Sequence, residues 1–143
     1  MTVQAVRSQQ LSRLNRDAIL SAPPARLLTM LYDRLILDLT RAEQAQATSD
    51  WETARENLLH AQDIVRELAG SLKMGTWDGA EQLQSIYTYV LTALMNANMH
   101  RDIEPTRECI GLLKPLGEAW HAAADSMVVQ TPVRVGGGML GVG

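Results

Sequence analysis

Apolar residues recur along this chain in alternating steps of three and four. Trp51, Ala54, Leu58, Ala61, Val65, Leu68 and Leu72 form one such series, and Thr106, Cys109, Leu113, Leu116, Trp120, Ala123 and Met127 form another. Leu28, Leu31, Leu35, Leu39 and Ala42 make a third, and Leu83, Tyr87, Val90, Leu94 and Ala97 a fourth. This spacing sets each series on one side of a helix, and that side must be buried against something. No alternating run rich in valine or isoleucine suggests a sheet. The expected fold is all-α, an antiparallel four-helix bundle with a short N-terminal segment and a flexible C-terminal tail.

Breaks in the rhythm predict the boundaries. Residues 1–20 are polar with isolated apolar points. Ser21-Ala22-Pro23-Pro24 ends that stretch, because one proline fits a first helical turn but two cannot lie deep in a helix. The first long helix is expected over Pro24–Ala47. Ser49 and Glu52 have capping-box spacing, so the second should begin near Asp50 and run to about Lys73. The turn between them is short enough to make them antiparallel neighbours. Met74 to Gly79 reads as a loop with Trp77 as its plug. The third helix should end near His100, with Asp102 capping the fourth. Pro115 predicts a kink, but the stripe resumes in phase at Leu116 and Trp120, so one bent helix is expected. Gly111 and Gly117 each lower helix stability by ~1 kcal/mol relative to Ala. The expected organisation is residues 1–23 as an N-terminal segment, 24–127 as the helical bundle, and 128–143 as a loose tail without helical period.

Composition narrows the class. With 143 residues, 46% hydrophobic and 20% charged, the chain suits one domain with a real core. Phenylalanine is absent, so leucine, alanine, methionine and three tryptophans must do most of the packing. A formal charge of -3 gives no broad attraction to nucleic acid or anionic membrane. Cys109 is the one cysteine, so no intrachain disulfide forms. No secretory apolar stretch opens the chain, and no run approaches the ~20 apolar residues that span a bilayer. A cytoplasmic protein without stable membrane insertion is the expectation.

Reactive chemistry is missing from the pattern. Glu118 and His121 have the Glu-x-x-His spacing of di-iron bundles, but such a site needs a second unit and two further carboxylates. They read as solvated helix residues. Cys109 falls on the inner stripe and reads as core. His60 and His100 have no third partner at ligand spacing and read as surface or helix-end residues. Gly136–Gly138 lacks the lysine and following helix of a phosphate loop. Arg34, Asp38 and Arg41 can pair on one solvated surface, where ion pairs contribute little. No catalytic residue, metal ligand or cofactor is expected, and no enzyme.

What remains is excess apolar surface. A bundle core is satisfied by about three apolar positions per heptad. Leu27, Leu28, Met30, Leu31, Leu35, Ile36, Leu37 and Leu39 exceed this, as do Ile86, Tyr87, Tyr89, Val90, Leu91, Leu94 and Met95. The excess can be absorbed by the fourth helix and N-terminal segment, form a channel for an amphipathic peptide, or join two copies as a homodimer.

Local blocks sharpen that choice. Ser21 to Asp33, with Pro24, Leu31, Tyr32 and Asp33, resembles the Thr-Ala-Ser-Pro…Leu-Met-Leu-Tyr-Asp-Gly block of the FliS family of flagellar export chaperones. His60 to Leu68 is similar to that family's Lys-Ala-Gln-Asp-Ile-Ile-x-Glu-Leu stretch. Ile86 to Tyr89, Ala97-Asn98 with Asp102, and Leu112-Leu113 with Ala119-Trp120 resemble its later landmarks, in order, over about residues 10–125. Pro23 stands in place of the family's serine, and Arg34 in place of its glycine. The resemblance implies a cytoplasmic chaperone that binds the C-terminal segment of flagellin, prevents premature polymerisation and keeps it competent for secretion, with the flagellar export apparatus as a further partner. It also implies that residues around Ile19 to Pro24 act as a displaceable cover. Apolar excess and local agreement together nominate Ile19, Leu28, Tyr32, Ile64, Leu68, Tyr87 and Leu91 as forming or supporting the client channel. Asp33, Gln62 and Asn98 are candidates to bind client backbone or to hold neighbouring helices.

Overall fold

Four helices account for the regular structure of the computed structural model, which describes residues 24–72 and 78–142, with side chains over 25–72 and 78–126. They are α1 (Pro24–Ala47), α2 (Trp51–Ser71), α3 (Gly79–Met99) and α4 (Ile103–Val142), with no strand among the described residues. The described chain divides into two units, one within residues 31–119 and a second that takes in 24–30 and 120–142. Portions of all four helices meet in the first unit, and this is the bundle.

Its core follows the predicted stripes. Leu31, Leu35, Leu39 and Ala42 of α1 are buried, as are Leu58, Ala61, Val65 and Leu68 of α2. Leu83, Tyr87, Val90, Leu94 and Ala97 come from α3, and Thr106, Cys109 and Leu113 from α4. Helices α2 and α3 pack directly on one another. Gly117 on α4 is buried against Tyr32 of α1; a Cβ built there would meet the ring at 3.5 Å. Gly111 faces open space.

Both tight turns end their helices in the same way. After α1, the Asp50 N–H donates to the Ala45 carbonyl at 2.8 Å and the Ser49 N–H to the Gln46 carbonyl at 3.1 Å. Ser49 is left-handed, at φ 60°. After α3, the Asp102 N–H donates to the Ala97 carbonyl at 3.1 Å, with Arg101 at φ 50°. These are Schellman closures, in which glycine usually holds the left-handed position.

The N-cap of α2 differs from the expected capping box. Asp50 is the cap, accepting from the Thr53 N–H, and Ser49 has turned into the left-handed region. Helix α4 runs through Pro115 as one element. It also runs past residue 127, where a tail was expected, and continues as helix to Val142. Helical hydrogen bonds are local, so the end of an apolar stripe does not by itself end the helix. The N-terminal segment 1–23, with Ile19, and Trp77 lie outside the described residues.

Candidate functional site

Contacts between polar side chains cross the interior of the bundle at Tyr32 and at Asp38. The hydroxyls of Tyr32 on α1 and Tyr87 on α3 are hydrogen-bonded at 2.6 Å, with both side chains buried. Burial, and then the Tyr32 hydrogen bond and its electrostatics, raise the Tyr87 pKa well above the ordinary phenol value. The pair is therefore a neutral clasp between helices.

The second contact centres on Asp38. Arg34 Nε donates to it at 3.1 Å from one turn earlier, and His60 Nδ1 of α2 is hydrogen-bonded to its other oxygen. Asp38 is fully buried, while both partners are about half exposed. This corrects the expectation of a solvated Arg34–Asp38–Arg41 surface. Asp38 lies three residues after Leu35 and four before Ala42, in phase with the inner stripe, and is tolerated there because it is paired. His60 is not a simple surface histidine but a second tether for this carboxylate.

Cys109 is buried, and burial, followed by the charge of Glu108, pushes its thiol up to about 12. A thiol so held supplies almost no thiolate near neutral pH. Among the described residues, no group of His, Cys, Asp and Glu is arranged to hold a metal ion. No described helix is long and apolar enough to cross a membrane.

The nominated channel positions separate into two sets. Tyr32, Gln62, Ile64, Leu68 and Tyr87 are buried, so any role they have is support from beneath the surface. Leu28 and Leu91 are half-buried, Asn98 is half-buried, and Asp33 is exposed. The structure brings Tyr32 and Tyr87 into direct contact, but the buried set shares no open face with Asp33.

Much of the apolar excess is on the outside. On α3, Leu91 leads at steps of four to Met95, 45% exposed, and Met99, 69% exposed. Leu37, Leu59, Tyr89 and Leu112 are also exposed. Tyr89 Oη donates to Glu108 of α4 at 2.6 Å, and that bond chiefly raises its pKa. The excess in α1 and α3 signalled Leu37, Tyr89 and Met95. Leu59 and Met99 carry no signal beyond being apolar away from their stripes, and Leu112 is marked only as part of a family block.

Asn98 and Met99 also line a cleft of about 490 Å³, where α1 ends, α2 begins and α3 turns into α4. Trp51, Arg55 and Arg101 are among its other walls. The Arg101 guanidinium lies over the Trp51 ring, 5.6 Å from its centroid.

Comparison with known proteins settles the family. The family profile described as flagellar protein FliS matches residues 7–127. The chain belongs to the FliS family. The flagellar secretion chaperone FliS of Bacillus subtilis (strain 168) is 29% identical over 111 residues, covering 78% of this chain and 83% of its own length. The Salmonella typhimurium (strain LT2) protein of the same description is 31% identical over 106 residues, covering 73% and 78%. A crystal structure described as a flagellar chaperone from bacteria superposes with a TM-score of 0.66 at 19% identity, over 84% of this chain and 98% of that one, and supports the fold. As a FliS-family protein the chain is a chaperone of flagellar biogenesis.

Proposed function

We propose that this FliS-family chaperone acts in the cytoplasm on the C-terminal segment of flagellin, blocks its premature polymerisation and keeps it ready for transfer to the export apparatus. The observation that carries the reading is the family match across residues 7–127, together with relatives described as flagellar secretion chaperones. The exposed apolar positions supply a physical means. A disordered client segment that folds into amphipathic helices can place its apolar face on Leu91, Met95 and their neighbours. The same surface is then unavailable for packing between flagellin subunits. Leu28, Asp33, Leu91 and Asn98 are the nominated positions that can touch the client directly. Tyr32, Gln62, Ile64, Leu68 and Tyr87 hold the helices that present them, and Ile19 belongs to the proposed cover.

Calorimetry with a flagellin C-terminal peptide tests this. Binding is expected with a negative heat-capacity change, as apolar surface leaves water. Leu91→Asp and Met95→Asp should each weaken it by about tenfold or more, with circular dichroism unchanged. Unchanged affinity in both folded variants would remove the site assignment. Absence of any binding by the wild type would remove the flagellin reading itself.

A further inference from the structure

The cleft at the turn end of the bundle has a composition unlike the apolar surface of α3. Trp51, Met99 and Leu58 give it apolar walls, and Arg55, Arg101 and Glu52 leave those walls with one net positive charge. Tryptophan, methionine and arginine are the residue types enriched where proteins bind one another. Its volume, about 490 Å³, lies in the range of binding pockets.

Three observations suggest that this end is built to hold something. Among the described residues Arg55 and Arg101 pair with no carboxylate, as is also true of Arg26 and Arg41, and the two share the walls of this cleft. The Arg101 guanidinium carbon lies over the Trp51 ring, 5.6 Å from its centroid, within reach of a cation–π contact. Arg101 also occupies the left-handed position of a Schellman closure, where glycine would be less strained. The floor carries an unmet demand of the opposite kind. Gln46 is 4% exposed and lines the cleft; its Nε2 donates to the Ala97 and Asp102 carbonyls at 3.4 and 3.1 Å. Its Oε1 has no hydrogen-bond partner among the described residues.

We infer that this cleft is a second recognition site, which takes an acidic peptide segment from a partner other than the flagellin client. A carboxylate of the segment pairs with Arg55 and Arg101, and an apolar side chain lies against Trp51 and Met99. A free polyanion is disfavoured by the chain's formal charge of -3 and by the apolar walls. Asn98 is the one nominated channel position in this cleft and Met99 ends the α3 strip beside it, so the two sites adjoin, but Arg55 and Arg101, which select the carboxylate, lie outside the nominated channel.

The test uses the full chain and an acetylated, amidated peptide, Ala-Leu-Asp-Glu-Leu-Ala. The comparison peptides carry Asn-Gln or Lys-Lys in place of Asp-Glu. The acidic peptide should bind about tenfold tighter than the neutral one at low salt, and lose that margin as salt rises. Arg55→Gln should abolish the preference, and Arg66→Gln should leave it intact. Arg101→Gly is the decisive variant: it should raise the melting temperature by relieving the left-handed turn while losing the acidic preference. Saturating flagellin C-terminal peptide should leave acidic-peptide affinity unchanged, which separates this site from the client channel. Equal affinity for the three peptides, tighter binding of the Lys-Lys peptide, retained preference in Arg101→Gly, or displacement by the flagellin peptide would each overturn the inference.

Discussion

Replacing Tyr32 by phenylalanine tests whether the two tyrosine hydroxyls act as a unit. Both side chains are buried and their oxygens are 2.6 Å apart. Tyr32→Phe removes one partner and leaves the Tyr87 hydroxyl inside the bundle without it. The loss of a net hydrogen bond, together with the desolvation of an orphaned hydroxyl, costs about 1–3 kcal/mol. For a domain of this size, about 2 kcal/mol corresponds to a fall in Tm of roughly 4–8 °C. In Tyr32→Phe/Tyr87→Phe neither hydroxyl remains, so neither strands the other. The double variant should therefore be destabilised by less than the sum of the two single changes, with a coupling of about 1–3 kcal/mol. Urea unfolding followed by circular dichroism measures each corner of the cycle, and an unchanged m value keeps the comparison two-state. Costs that simply add would refute the clasp.

Cys109 predicts an alkaline weakness. Below the ordinary thiol value of 9.0 the group is protonated whether the chain is folded or unfolded, and stability does not depend on it. Above that value the unfolded thiol ionises while the folded one stays protonated up to about 12, so stability falls as pH rises, by about 1 kcal/mol between pH 9 and 10 for this group. Cys109→Ala should remove that part of the slope in urea melts between pH 9 and 10, and an identical slope would count against it. Gly111→Ala should stabilise by ~1 kcal/mol, since its Cβ enters open space, and Gly117→Ala should gain as well, because its contact with Tyr32 is an ordinary one. A lower Tm in Gly111→Ala would be inconsistent with that geometry. Asp50→Ala should cost about 0.5–2 kcal/mol through the lost cap, whereas Ser49→Gly should stabilise by relieving its φ of 60°. The reverse order in thermal melts would restore Ser49 as the cap.

The helices are legible in the sequence because their information is periodic. The bounds of α1 match the stretch from the proline pair to the end of the apolar stripe, and the core positions of α2 and α3 follow from steps of three and four. Asp38 reads as solvated when charge is weighed before phase, yet its position alone puts it beside Leu35 and Ala42, inside the bundle. Ser49 reads as the cap because capping-box spacing does not register which of two adjacent polar residues takes the left-handed turn. The extension of α4 beyond residue 127 has no apolar pattern to announce it. The channel nominations mix surface with interior for a related reason. A sequence block marks Tyr32, Leu68 and Tyr87 as a group, but burial depends on the neighbouring helices that a single stripe does not name. The turn-end cleft is least visible, since it assembles Gln46, Trp51, Asn98 and Arg101 from separate parts of the chain.

The exposed face of α3 carries two thioethers, Met95 and Met99, beside the aromatic Tyr89. An unbranched chain with three rotors moulds itself to whatever lies against it. Such padding grips by bulk and polarisability more than by fixed outline, so if the proposed client docks here, one copy of this protein would tolerate docking sequences that have drifted apart. The same sulfurs accept oxygen readily, and a burst of peroxide would turn this soft, greasy strip polar until a reductase restored it.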